Sequence, residues 1–260
     1  MREFDISANT PKTPVPSSLY GMQTEVMDRS RFGRYIIDGE SGEIFESKLI
    51  SDPQLTWGVE LFTYRDILPS GKPPKKLENI YWNSYGFWPE LLTQFSFNLY
   101  KDYKYRMVPN AEILRISEKC GGKPACLLRL DTREMAIADY FLFLPDDKSD
   151  GYMINSPQFI PSSESNDSST DGYILCTVFY QNSCEIWIFD AQNLAAGPKC
   201  KLSHPSLTFG FTLHTAWLAK IGSRTAPYNI PVDQDYKEIV KQQSPEIQQL
   251  FEEEIYRRFK

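Results

Sequence analysis

One layout recurs three times along the chain and limits what it can fold into. The stretches RYIIDGESGEIFESKLI (34–50), LLRLDTREMAIADYFLF (127–143) and IWIFDAQNLAAGPKCKL (186–202) share it. Each reads as a strand ending in aspartate, a tight polar turn and a returning strand. The aspartates are Asp38, Asp131 and Asp190. Aspartate suits such a turn because its carboxylate accepts backbone N–H groups within it. The three carboxylates are therefore structural rather than catalytic. Hairpins at long, unequal spacing point to blades of a β-propeller carrying insertions. A β-sandwich is the alternative, because periodicity does not separate the two.

The composition agrees with a mainly β chain. Aromatic residues make up 14%, and prolines outnumber glycines 18 to 14, which favours short strands and long connections over a helical bundle. Further strands are expected at Leu19–Val26, Leu55–Tyr64, Tyr173–Tyr180, Glu185–Asp190 and Thr208–Leu218. Residues 77–118 differ in texture and read as a helical, aromatic insertion. There Leu92, Phe95, Leu99 and Tyr103 recur at helical spacing, and Pro109 ends that helix and starts another. The plain reading packs this insertion over the sheet. The sharper one makes Phe87, Trp88 and Phe95 the wall of an apolar substrate site or a membrane-docking surface. The resulting division is an irregular lead-in at 1–18, a partial propeller over 19–225, and a tail over 226–260 with two helices separated by Pro245.

Several function classes are disfavoured. The net charge is −6 without a basic run, against a nucleic-acid footprint. No apolar run approaches the roughly 18 residues of a spanning helix, and the first residues lack the apolar core of a signal peptide. Five cysteines without a CxxC pair suggest free thiols in a reducing compartment such as the cytoplasm. A zinc site on Cys120 and Cys126 lacks a second ligand pair of suitable spacing. No GxSxG-type elbow accompanies the histidines, against serine-nucleophile chemistry.

Histidine is the scarcest reactive residue. The chain has two, His204 and His214. A site needing three or more is not completed by them alone. His204 precedes Pro205 and reads as a loop residue. His214 lies in FGFTLHTAWL, where alternation places Phe209, Phe211 and Leu213 on one face and Gly210, Thr212 and His214 on the other. At this point His214 is either a hydrogen-bonded structural histidine or a metal ligand facing a propeller channel.

The ordered series LLRLDTREMAIADYF, SPQFIPSS, DGYILCTVFY, EIWIFDAQNL, LSHP and FGFTLHTAWL resembles the C-terminal part of the carotenoid cleavage oxygenases, and within them the bacterial lignostilbene-dioxygenase-like branch. The likeness is continuous from about Cys126 to Leu218. It implies the C-terminal blades of a seven-bladed β-propeller. It also implies a non-haem Fe(II) on four histidines, and cleavage of a C=C bond by O2 in an apolar conjugated alkene, an apocarotenoid or a stilbene. His214 matches the last iron ligand. The other three lie upstream in the family and have no counterpart here. The resemblance thus implies an incomplete iron site and a chain inactive alone, with a separate N-terminal half and a membrane surface as further partners. Ser156 stands where many members carry a glutamate that orients an iron histidine.

Overall fold

A computed structural model describes residues 28–67, 76–89, 91–92, 102–119, 122–145, 151–163, 168–181, 183–218 and 231–258, with short backbone pieces at 4–5 and 10–11. The chain divides into two compact units, Met1–Trp217 and Leu218–Lys260. Phe4–Asp5 and Thr10–Pro11 form a two-residue antiparallel pairing.

The larger unit is mainly β, with several antiparallel sheets and few helices. Strands β1 (Phe32–Ile37) and β2 (Ile44–Ile50) form a hairpin. Strands β3 (Val59–Thr63), β4 (Asn79–Ser84), β5 (Cys126–Asp131) and β6 (Ala136–Leu142) form a four-stranded meander in sequence order. The second large sheet begins with β7 (Met153–Ile154) and β8 (Gln158–Pro161). Both pair with β9 (Gly172–Tyr180), which is followed by β10 (Ser183–Asp190) and β11 (Pro198–Leu202). Consecutive antiparallel meanders, each adding strands to one edge, are consistent with a partial β-propeller.

The aspartate turns are as the repeat requires. Asp38 Oδ1 accepts the amides of Glu40 and Ser41 at 3.0 and 2.6 Å. Asp131 Oδ1 accepts those of Arg133 and Glu134 at 2.8 and 2.9 Å, and Asp190 Oδ1 accepts that of Gln192 at 2.9 Å. These bonds hold the carboxyls of Asp38 and Asp131 below the usual aspartate range, chiefly through Ser41 and Glu134 respectively.

The meander β3–β6 carries apolar residues on both faces, and its inner strand β5 is covered on both, while Phe62 on β3 and Tyr140 on β6 stay exposed. One face contributes Tyr81, Leu127 and Phe143 to a core shared with Phe159, Ile174, Val178, Trp187 and Phe189 of the second sheet. The other contributes Cys126, Leu128 and Leu130 to a core with Phe32 and Leu55, against which Ile50 packs. The β1–β2 hairpin also grips the β5–β6 turn. Arg34 Nη1 donates to the Arg133 carbonyl at 2.7 Å, and Lys48 Nζ to that of Glu134 at 2.6 Å. Three layers result: hairpin, first meander, second sheet.

Residues 88–122 leave the first meander between β4 and β5. The antiparallel bridge between Phe87 and Lys123 closes their base, with N–H to O distances of 2.9 and 2.8 Å. Gly86 and Gly122 flank it at φ +85° and +89°. A Cβ at either would lie 2.2 Å from the carbonyl oxygen of Lys123 or Phe87, so both must be glycine. The excursion contains α1 (Asn110–Lys119), which starts at Pro109 as expected. Asn79–Ser84 was expected within the insertion and is instead a central strand. Leu92 is buried and Tyr103 is exposed, while Phe95 and Leu99 lie outside the described residues, as do Leu19–Val26 and Cys120.

The smaller unit holds α2 (Val232–Val240) and α3 (Pro245–Leu250), with Pro245 at the start of the second helix. The chain then passes through a wider helical turn at Phe251–Ile255. No helix among the described residues is long and apolar enough to cross a membrane.

Two outcomes follow for stability. Leu127 and Leu128 are neighbours on β5 with no exposed surface, each facing a different core. Leu127→Ala and Leu128→Ala should each cost about 2–5 kcal/mol in urea unfolding. A cost below about 1 kcal/mol for either would mean that its face is not packed. The Asp131 turn is stabilising above the ordinary aspartate range, where its carboxylate is charged in folded and unfolded chains alike. That contribution is lost as pH falls toward the depressed folded value. Asp131→Asn should therefore flatten the acid limb of a stability–pH curve, and an unaltered limb would exclude the turn as its source.

Candidate functional site

The segment expected as the last strand is not one. Residues 209–217 run without a ladder among the described residues, with a bend at Leu213, and Thr208–Leu218 does not form a strand. A strand needs a neighbour for its amides and carbonyls, and none of the described backbone supplies one. What holds the segment is a side chain. Asn155, buried between β7 and β8, donates its Nδ2 to the Gly210 carbonyl and to Thr212 Oγ1, each at 3.3 Å. Its Oδ1 accepts the Thr212 amide at 3.4 Å. One carboxamide thus takes the place of a neighbouring strand's peptide group.

The support beneath is polar and buried. Asn83 Oδ1 accepts the Leu61 amide at 2.8 Å, and its Nδ2 donates to the carbonyls of Ile154 and Asn155 at 3.4 Å. Thr215 Oγ1 reaches the Ser156 carbonyl and Gln158 Oε1, both at 3.5 Å. Tyr85 packs against Phe211 at 6.1 Å between ring centroids, and burial pushes its phenol up to about 12. The platform for the FGFTLHTAWL segment is therefore Asn83, Asn155 and Gln158, at the junction of the two large sheets.

His214 is exposed. The bend at Leu213 breaks the expected alternation, so Thr212 and Thr215 both turn to the platform. Ser156 is buried and offers its carbonyl to Thr215, not a side-chain oxygen to His214. Phe87 lies in the core at 1% exposure, against Trp57 with ring centroids 5.4 Å apart and with Leu92, Ile113 and Ile116. Trp88 is half-buried, donates Nε1 to the Tyr85 carbonyl at 2.6 Å, and presses on Gly151, where a Cβ would sit 1.9 Å from its ring. Phe95 lies outside the described residues. The structure therefore does not bring His214 together with Phe87 or Trp88 in one cavity.

Asn155 and Gln158 did not stand out in the sequence. The usable signal was two amide side chains beside a strand that is otherwise apolar. Among the described residues no three His, Cys, Asp or Glu side chains converge as a metal site. With two imidazoles, His204 and His214, both exposed, the described residues do not on their own fit the four-histidine iron centre that the resemblance implies. Two of the described cysteines, Cys126 and Cys176, are buried, and burial pushes the Cys176 thiol up to about 12.

The fold is thus a mainly β stack of antiparallel sheets, consistent with a partial β-propeller, with a histidine segment suspended at one junction. The family model described as retinal pigment epithelial membrane protein matches residues 101–219, somewhat less than half of the chain. That span contains α1, strands β5–β11 and the whole His214 segment. No curated protein and no solved structure gives a significant match.

Removing the carboxamide should release the segment. Asn155→Ala is expected to cost about 1–2 kcal/mol and to raise hydrogen exchange at the Thr212 amide. His214→Ala, at an exposed site, should stay within about 0.5 kcal/mol of the parent. Unchanged exchange at Thr212 would show that Asn155 does not anchor the segment.

Proposed function

We propose that this chain is part of a non-haem Fe(II) oxygenase that cleaves a C=C bond of an apolar conjugated alkene, an apocarotenoid or a stilbene, with O2. The observation that carries this reading is the family match at residues 101–219, which extends across His214. The suspended segment supports it. His214 has no hydrogen-bond or ion-pair partner among the described residues, and the backbone beside it is positioned by the buried amide of Asn155. A neutral imidazole is a suitable ligand for Fe(II), and when bound the metal would supply the site at which O2 is activated. The chain's own contribution would be to fix the backbone on both sides of His214 through Asn155 and Thr215.

On this reading the iron site is incomplete in the chain alone, since it has two histidines in all. The remaining imidazoles would come from a separate polypeptide bearing the preceding blades. The aromatic residues Phe87, Trp88 and Phe95 are then proposed to shape the apolar substrate wall, with Phe87 acting from behind as packing. A cytoplasmic enzyme resting on a membrane surface would suit so apolar a substrate.

A second reading, an inactive partial propeller that binds an apolar ligand or another protein, is favoured by one specific observation. The face of the β1–β2 hairpin away from the first meander carries Tyr35, Phe45 and Leu49 at 50%, 67% and 51% exposure. Such a patch is large for a free monomer.

The two separate by iron titration. Under anaerobic conditions the chain alone should bind far less than one Fe(II). Co-expression with a polypeptide carrying upstream histidine-bearing blades should bring iron to one per complex, and His214→Ala should remove it. Stoichiometric iron in the isolated chain would overturn the incomplete site. Iron in the complex that persists in His214→Ala would overturn the assignment of His214. Saturable quenching of aromatic fluorescence by a stilbene, unaffected by His214→Ala and without iron in any complex, would favour the second reading.

A further inference from the structure

A second feature lies apart from the His214 segment and uses none of its residues. A cleft of about 200 Å³ opens between the 53–57 loop, α1 and the base of the 88–122 excursion. Its charged lining is Arg29, Arg115, Lys123 and Glu112. Arg115 is committed: its Nε and Nη2 donate to the two Glu112 carboxylate oxygens, each at 2.7 Å. Lys123 Nζ has one neutral partner, Gln54 Oε1, at 2.6 Å.

Arg29 is the exception. It is half-buried, and its Nε is sealed from solvent without a hydrogen-bond partner. Its guanidinium makes no ion pair among the described residues. The adjacent carboxylate would be the obvious counter-ion, but Asp28 is occupied. Its Oδ1 accepts the amides of Arg29 and Val108 at 2.8 and 3.0 Å, and its Oδ2 that of Met107 at 2.8 Å. A buried N–H without an acceptor is costly, and at Arg29 it is the Nε–H that lacks one, while the residue as a whole is half-buried. The cleft thus holds two cations, Arg29 and Lys123, that form no ion pair among the described residues: the Asp28 oxygens are taken by backbone amides, and those of Glu112 by Arg115, so Glu112 acts on the two cations only at longer range.

The remaining wall is apolar, with Trp57, Val108 and Ile116 buried beneath it. A guanidinium fork recognises a carboxylate through paired N–H donors, and an apolar wall recognises the body that carries it. The volume is small and limits that body to about one ring. We infer that this cleft is a binding site for a small carboxylate with an apolar body, its oxygens on Arg29 and Lys123 and its body against Trp57 and Ile116.

The test uses the full chain, with benzoate as the probe, benzamide as its neutral isostere and inorganic phosphate as an anion without an apolar body. Binding is read by calorimetry, and folding by circular dichroism. Benzoate should bind saturably and weaken with added salt. Benzamide and phosphate should each bind at least about tenfold more weakly, since each lacks one of the two recognised features. Arg29→Gln should lower benzoate affinity about tenfold or more at an unchanged or raised melting temperature, with Arg29→Lys retaining part of it. Should Arg29→Gln fail to fold, Lys123→Gln serves as the second variant and should weaken benzoate severalfold. Equal binding of benzamide or phosphate, undiminished affinity in a folded Arg29→Gln or Lys123→Gln, or no benzoate binding by the folded parent would each overturn the assignment.

Discussion

The structure depends on one constraint: β5, an inner strand of the first meander, is buried on both faces. Leu127 and Leu128 are adjacent in the chain, point in opposite directions and are both fully buried. A sheet of this kind requires a layer on each side. The hairpin β1–β2 supplies one and the second sheet the other. Each added layer then presents its own outer face, and at the hairpin that face carries Tyr35, Phe45 and Leu49 in the open. Stacking of this type does not end by itself. It ends by closing into a ring, by capping or by pairing with another chain.

Hydrophobic burial gives the stack its order but not its alignment, because apolar contact is non-directional. Alignment comes from polar bonds across the sheet boundary. Tyr81 Oη donates to the Ala191 carbonyl at 2.9 Å, and the Phe159 amide donates to Thr63 Oγ1 at 3.1 Å. The Asp139 carboxylate on β6 accepts the amides of Leu194 and Ala195 at 2.6 and 3.2 Å, satisfying the start of a short helical turn in the second sheet. Each bond joins residues more than fifty positions apart. Burial strengthens the Tyr81 and Phe159 bonds and makes each costly to lose.

What the sequence revealed and what it hid follow from the same physics. Local chemistry was legible. The aspartate turns, the helix opening at Pro109 and the two tail helices split at Pro245 all depend on a few neighbouring residues. Features set by distant partners were not. Asn79–Ser84 sits beside a dense aromatic cluster that reads as an insertion, yet it is a strand because β3 and β5 flank it. Phe87 has the composition of a binding wall but is buried, because its backbone pairs with Lys123 and draws the ring under α1. Thr208–Leu218 alternates like a strand, but alternation records which side of a sheet a residue would face and not whether a neighbouring strand exists.

The His214 segment joins these points. Its alternation fits a strand placed against the second sheet, and Asn155 already supplies the bonds that a neighbouring backbone would supply to Gly210 and Thr212. Two amide contacts fix position along the chain but leave the opposite edge free. On the proposed function, a partner strand on that edge would pair the remaining amides and carbonyls of the segment while Thr212 and Thr215 keep their bonds to the platform. On the same reading, the exposure of His214 leaves its imidazole accessible to a metal held in part by another chain.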